Sequence, residues 1–72
     1  MSEPAATIRI NGEDEPLAAA TVAALLAEKS IDPGQRGIAV ALNGAVVPRA
    51  AWPQTALNPG DRIEIVRARQ GG

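Results

Sequence analysis

The chain has 72 residues, a formal net charge of −1, no cysteine, no histidine and a single aromatic residue, Trp52. A chain of this length forms one domain around one small core. The missing residue types exclude disulfides, zinc sites built from cysteine or histidine, and thiol or imidazole catalysis; scarce aromatic residues and the lack of clustered cations argue against nucleic-acid binding.

The N-terminal part predicts a flexible extension followed by a hairpin. Residues 1–5 are polar and contain a proline, which is typical of a frayed end. Residues 7–11 alternate polar and apolar side chains and predict a half-buried strand. Asn11-Gly12 predicts a tight turn, because both residues tolerate positive φ. The acidic residues 13–15 are expected to form a solvated turn, followed by a weak edge strand around residues 16–18.

The middle of the chain predicts a helix and a second hairpin. Thr21 is a good N-cap for a helix that runs to about Lys29 with one apolar stripe. Residues 38–42 alternate again, with large side chains on one face and alanines on the other. Asn43-Gly44 is a strong hairpin signal, and we expect a short strand at residues 46–47 after it.

The last part predicts a turn and a final strand. Residues 48–57 are irregular, and Trp52 is expected to anchor them to the core within a single helical turn. Residues 58–61, Asn-Pro-Gly-Asp, predict a tight turn. Residues 62–68 predict a strand with its isoleucines facing inward. This order predicts one α+β domain over residues 6–68, with a mixed sheet of four to five strands and one helix packed on one face.

Neither a membrane span nor a secretory signal is recognisable in the sequence. No apolar run approaches the ~20 residues that cross a bilayer. The first residues lack the basic and apolar regions of a signal peptide. We therefore expect a cytoplasmic protein with no membrane partner and no metal site.

Residues 69–72, Arg69-Gln70-Gly71-Gly72, predict a flexible tail that carries the function. Glycine packs no side chain and loses much backbone entropy on ordering, so the two glycines do not stabilise the fold. Four extended residues reach roughly 13 Å beyond the sheet. Because glycine has no side chain, the end of the tail can enter a narrow channel. The Gly72 carboxyl group is then open to attack once this group is activated as an acyl-adenylate. From the residues alone, an inert disordered end remains an alternative.

Six motifs in chain order resemble one known family. They are Ile8 to Gly12, Thr21 to Leu26, Ala41 to Gly44, Val47 to Trp52, Gly60 to Ile65, and Gly71-Gly72. With them the chain resembles the ubiquitin-like β-grasp sulfur carriers, and among these it is similar to the thiamine-biosynthesis carriers of the ThiS type. The resemblance extends from about Thr7 to the end of the chain.

The resemblance implies a role as a protein co-substrate and not as an enzyme. In that family an adenylyltransferase of the ThiF type spends ATP to adenylate the terminal glycine, here Gly72. A persulfide protein then supplies sulfur and leaves a thiocarboxylate, which a thiazole synthase of the ThiG type uses to build the thiazole ring of thiamine. Gly71 and Gln70 would give access to the partner channel, and the chain itself would bind no cofactor.

Four further residues are candidates for partner binding. Val66 should face solvent beside the tail, and the family's sheet surface meets partners. Arg67 and Arg69, together with Arg49, could pair with acidic groups on the activating enzyme, although a solvated surface explains them equally well.

Three other functions remain open from the sequence. The small subunit of molybdopterin synthase also works through a thiocarboxylate, but the resemblance leads us to expect more phenylalanine and a proline in the tail of that subunit. A ubiquitin-like modifier would form isopeptide bonds to lysines. An interaction module with an inert tail would keep its function without Gly71-Gly72.

Overall fold

The computed structural model describes residues 6–32 and 34–67. Within these ranges it contains five strands, one α-helix and one 3₁₀ helix. The elements are β1 (Thr7–Ile10), β2 (Glu13–Pro16), α1 (Val22–Glu28), β3 (Ile38–Leu42), β4 (Ala45–Val46), the 3₁₀ helix (Arg49–Gln54) and β5 (Arg62–Arg67). The predicted extension 1–5 and tail 69–72 lie outside the described residues.

The strands form one mixed sheet in the order β2-β1-β5-β3-β4. β1 and β5 run parallel, whereas the other neighbouring pairs are antiparallel. Parallel neighbours need a long connection between them, and here that connection contains β2, α1, β3, β4 and the 3₁₀ helix. The arrangement confirms the predicted α+β class, with a helix packed on one face of a mixed sheet.

The core lies between this face and the two helices. Strand alternation sends one set of side chains inward, as the period of two requires. The inward strand residues are Ile8, Ile10, Ile38, Val40, Ile63 and Ile65, and α1 adds Val22, Leu25 and Leu26. Trp52 closes the core at 2% exposure, and its indole Nε1 donates a hydrogen bond to the Val47 carbonyl at 2.9 Å. The prediction that Trp52 anchors the core is confirmed.

Both ends of α1 are capped by local hydrogen bonds. The Thr21 hydroxyl accepts a hydrogen bond from the Ala24 amide at 3.1 Å, which confirms the predicted N-cap. At the other end, Ser30 has φ 61° and its amide donates to the Ala27 carbonyl. The Ile31 amide reaches back to the Leu26 carbonyl at 2.8 Å, which completes a Schellman motif with serine in the left-handed position.

Two strands begin earlier than the sequence predicts. β2 covers Glu13–Pro16, so the acidic residues form an edge strand and not the expected turn, and the predicted strand at residues 16–18 is wrong. The reason is the two-residue turn Asn11-Gly12, which places Glu13 directly opposite Ile10. In the same way Asn43-Gly44 starts β4 at Ala45, one residue before the predicted strand at residues 46–47.

Candidate functional site

The candidate reaction site, Gly72, lies outside the described residues together with the other predicted tail residues, Gly71, Gln70 and Arg69. The described part of the site is therefore the end of β5, from which the sequence continues for five residues to Gly72. β5 is the central strand of the sheet, with β1 on one side and β3 on the other.

Asn11 holds the last part of β5 on the β1 side. The parallel β1–β5 ladder ends at the pair Ile10 and Ile63, because the chain turns away at Asn11. The Asn11 side chain continues the ladder: its Oδ1 accepts from the Ile65 amide at 2.8 Å, and its Nδ2 donates to the Ile65 carbonyl at 3.3 Å. One side-chain amide thus replaces a strand residue beside the exit of the tail.

Asn43, in the other hairpin, holds the start of β5. Its Oδ1 accepts from the Arg62 amide at 2.9 Å, and its Nδ2 donates to Asp61 Oδ1 at 3.1 Å. Asp61 Oδ2 in turn accepts from the Asn58 amide at 2.8 Å. The two Asn-Gly turns therefore fix the central strand at both ends. Sequence reasoning found the turns but missed these side-chain bonds.

The outer face of the sheet, opposite α1, carries an apolar depression at the end of β5. Val66 is 59% exposed, which confirms its predicted outward orientation, and Val46 is 77% exposed. Ala39 and Ala41 of β3 lie between them, and the depression measures about 200 Å³. Sequence reasoning missed Val46. The two-residue turn Asn43-Gly44 predicts the outward position of Val46, because it pairs Val46 with Ala41, which faces outward.

Arg67 does not lie on this outer face. Because side chains alternate along a strand, Arg67 is on the same side as Ile65, facing α1. There it lines a groove of about 350 Å³ with Glu13, Glu15 and Lys29, among others. Lys29 Nζ and Glu15 Oε1 form an ion pair at 2.8 Å in this groove. The predicted partner residues Val66 and Arg67 are therefore on opposite faces of the sheet.

Arg49 has structural contacts of its own. Its guanidinium lies 4.6 Å from the centre of the Trp52 ring, and its Nη2 donates to the Gln35 carbonyl at 2.8 Å. The 3₁₀ helix that carries it packs against α1 and not on the outer face. Arg49 thus joins the loop before β3 to the 3₁₀ helix, and the structure does not bring it together with Val66.

Over residues 6–32 and 34–67 no group of three or more carboxylates is arranged to hold a metal ion. Within the same ranges, no helix is both long enough and apolar enough to cross a bilayer.

A mixed five-stranded sheet with one helix on one face, and with the C-terminal strand at its centre, defines a ubiquitin-like β-grasp domain. The model of the ThiS family matches residues 4–72, which is nearly the whole chain. The chain therefore belongs to the ThiS family, and the predicted resemblance is confirmed. Proteins of this family are small sulfur carriers and not catalysts.

Solved structures and one curated sequence are similar to this chain. The crystal structure of a thiamine biosynthesis protein (ThiS) from Geobacter metallireducens has a TM-score of 0.74 and 28% sequence identity, covering 92% of this chain and 99% of that one. A solution structure of a thiamine biosynthesis protein from the same organism has the same TM-score, and the match covers 87% of that chain. A thiazole synthase of Paramagnetospirillum magneticum is 44% identical over 64 residues, which is 88% of this chain but only 19% of the synthase. The chain thus spans about a fifth of that relative's length.

Proposed function

We propose that this chain carries sulfur on Gly72 for the formation of the thiazole ring of thiamine. The observation that carries the proposal is the family match, which extends through Gly71-Gly72. The similar proteins support it, because one is named a thiamine biosynthesis protein and another a thiazole synthase. The central position of β5 also supports the proposal. Because β5 is paired with a strand on each side, the tail that ends in Gly72 starts from a firmly held part of the sheet.

The proposed chemistry starts from an unreactive carboxylate. An oxygen of the Gly72 carboxylate attacks the α-phosphorus of ATP, and pyrophosphate leaves. The terminal sulfur of a persulfide then attacks the acyl-adenylate carbon, AMP leaves, and the carrier is joined to the donor through an acyl disulfide. A thiol cleaves the S–S bond, which releases the thiocarboxylate and leaves the donor as a disulfide.

The partners follow from this chemistry. The proposal requires an adenylyltransferase of the ThiF type, a persulfide donor, and a thiazole synthase of the ThiG type, all in the cytoplasm. ATP is bound and consumed by the activating enzyme, so this chain needs no cofactor of its own. Its five residues after Arg67 reach roughly 17 Å when extended, which is enough to enter a partner's active site.

The proposed surface for these partners surrounds the start of the tail. Val66 contributes on the outer face, and Arg67 contributes from the groove on the helix side. Arg69 lies within the tail itself. Arg49 is a weaker candidate, because its guanidinium is already engaged with Trp52 and Gln35.

Intact-mass spectrometry tests the proposal. The chain is incubated with the adenylyltransferase, Mg-ATP and a sulfur donor, and we expect an AMP adduct followed by exchange of one oxygen for sulfur. A variant without Gly71-Gly72 and a variant with one tryptophan added after Gly72 should give neither product. An unmodified wild-type mass under conditions that load a known carrier would contradict the proposal.

Two further measurements separate the alternative functions that also use an activated C-terminus. A modifier would form isopeptide adducts on lysines, which appear as larger bands on a denaturing gel. A molybdopterin synthase subunit would pass its sulfur to a pterin and not to a thiazole. The named relatives belong to thiamine and thiazole synthesis, which favours the thiazole role.

A further inference from the structure

The last part of β5 is held unequally by its two neighbouring strands. On the β3 side the ladder continues to the end of the strand, where Ile38 pairs with Arg67. On the β1 side the strand pairing ends at Ile63, before β5 itself ends. A strand end that is paired on one side only frays more easily than one that is paired on both sides. This end of β5 matters for the proposed function, because the residues that follow it lead to Gly72.

The Asn11 side chain supplies the missing pairing on the β1 side. The Asn11 backbone amide still binds the Ile63 carbonyl at 3.0 Å, but at φ 51° the chain then turns into the hairpin. The side chain reaches one step further, because its Oδ1 and Nδ2 bind the amide and the carbonyl of Ile65 at 2.8 Å and 3.3 Å. A side-chain amide has an acceptor and a donor group, as a peptide group has, so it can take the place of the next strand residue.

Asn43 in the other hairpin is not equivalent to Asn11. Its Oδ1 binds the Arg62 amide, but its Nδ2 donates to the Asp61 side chain and not to a strand carbonyl. It also acts at the start of β5, where Ile63 already has strand partners on both sides. The start of β5 is therefore held without the Asn43 amide, whereas over residues 6–32 and 34–67 the end of β5 has no bond on the β1 side beyond that of Asn11.

The direction in which the chain leaves the sheet determines where the reactive carboxylate arrives. Gly71 and Gly72 have no side chains by which an enzyme could place them, so their position depends on the part of the chain that precedes them. Proximity and orientation supply a large part of the rate in enzymatic reactions, and a misplacement of about 1 Å can cost roughly a hundredfold. A bond that fixes the end of β5 can therefore affect a reaction at Gly72.

On the basis of the proposed function, we infer that Asn11 is a positioning residue for the adenylation of Gly72. By binding Ile65 on the β1 side, the Asn11 amide fixes the direction in which the chain leaves the sheet, so that the carboxylate meets the α-phosphorus of ATP. Asn11 acts through the backbone of β5 and takes no part in the bonds that form and break.

The size of the effect separates a loss of direction from a mere gain in length. If Val66 and Arg67 came loose, the free segment before the end of the chain would grow from five residues to seven. Effective concentration falls roughly as the −3/2 power of linker length, so this change alone costs less than about twofold. A larger fall in rate therefore means that the direction of the chain has been lost.

Steady-state adenylation of Asn11→Gly, with the concentration of the carrier varied, tests this inference. We expect kcat to fall by roughly tenfold with KM unchanged, because the folded surface that binds the enzyme is the same. Asn43→Gly removes the amide of the other hairpin and should keep the kcat of the wild type. Ile8→Val lowers stability through the core and is the control for destabilisation. Partial unfolding removes competent substrate, so it raises the apparent KM and leaves kcat unchanged.

A second measurement follows the end of β5 in the free chain. Backbone amide order parameters of Val66 and Arg67, obtained by nuclear magnetic resonance relaxation, should fall in Asn11→Gly. They should stay at the wild-type values in Asn43→Gly and Ile8→Val.

The outcomes separate this inference from the proposed function. If the wild-type chain is not adenylated, the proposed function fails and the inference fails with it. If the wild type is adenylated and the kcat of Asn11→Gly stays within twofold of that of Asn43→Gly, the inference alone is wrong. It is also wrong if Asn11→Gly raises only KM, if Ile8→Val lowers kcat as much, or if the order parameters of Val66 and Arg67 do not change.

Discussion

The two asparagines of the hairpins have one backbone conformation and two different environments. Asn11 and Asn43 have φ values of 51° and 52°, and each uses its side-chain amide to bind β5. The bonds of Asn11 to Ile65 are partly buried, whereas those of Asn43 to Arg62 and Asp61 are exposed. Water can replace the exposed bonds of Asn43 more easily than the partly buried bonds of Asn11.

Asn11→Gly should therefore destabilise the domain more than Asn43→Gly. Glycine accepts the same φ, so each variant removes the amide without straining the turn. We expect a loss of about 1–2 kcal/mol for Asn11→Gly, because it leaves the Ile65 amide without a partner, and less than about 1 kcal/mol for Asn43→Gly.

Urea unfolding of both variants measures this difference. Hydrogen exchange at the Ile65 amide should accelerate in Asn11→Gly alone. Equal unfolding midpoints and equal exchange rates would show that the Asn11 amide adds nothing to β5.

Among the secondary-structure elements, α1 ends in a backbone conformation that is unfavourable for the residue there and that one substitution can relieve. Ser30 takes the left-handed position of the Schellman motif, where most helices have glycine. A residue with a Cβ pays roughly 1–2 kcal/mol in this conformation. Leu26 and Ile31 pack in the core on either side of the motif, so the helix end must adopt it.

Ser30→Gly should stabilise the domain by about 0.5–1 kcal/mol, since relief of the Cβ contact exceeds the added entropy of the unfolded chain. Ser30→Ala keeps the Cβ and serves as the control, with no gain expected. Thermal unfolding followed by circular dichroism gives both values. A lower midpoint for Ser30→Gly would mean that the serine hydroxyl contributes more than the backbone costs.

The elements differ in how far local sequence determines them. The inward isoleucines, the Thr21 cap and both Asn-Gly turns follow from short-range chemistry, and the structure confirms them. The sequence predicts β2 too late in the chain because Glu13, Asp14 and Glu15 have low strand propensity, which pairing with β1 overrides.

The candidate site was predictable only in part. The outward orientation of Val66 follows from alternation along β5, but the apolar depression on the outer face requires the cross-strand register of β3, β4 and β5. The bond from Asn11 to Ile65 and the stacking of Arg49 on Trp52 depend on tertiary contacts that no local pattern encodes.

For the whole molecule, stability and the proposed function occupy different parts of the chain. The buried residues of the described ranges all lie between Ile8 and Ile65. The proposed reaction takes place at Gly72, beyond the last residue of the core. Changes at the end of the chain should therefore affect activity without affecting folding.

Deletion of Gly71-Gly72 should accordingly leave the unfolding midpoint within error of the wild type, since no core side chain is lost. Its heat capacity of unfolding should also be unchanged, because that quantity follows the apolar surface exposed. Differential scanning calorimetry measures both. A clear drop in the midpoint would mean that the glycines take part in the fold.

The central place of β5 also constrains how the protein is made. A ribosome delivers β5 after every other strand, yet β1 and β3 can be joined into one sheet only when β5 lies between them. Until residue 67 has left the exit tunnel, the nascent chain has only its separate hairpins, which are marginal on their own. The domain can therefore complete its fold only when synthesis has passed β5, so a chain that terminates before β5 would have no native sheet to present to the proposed activating enzyme.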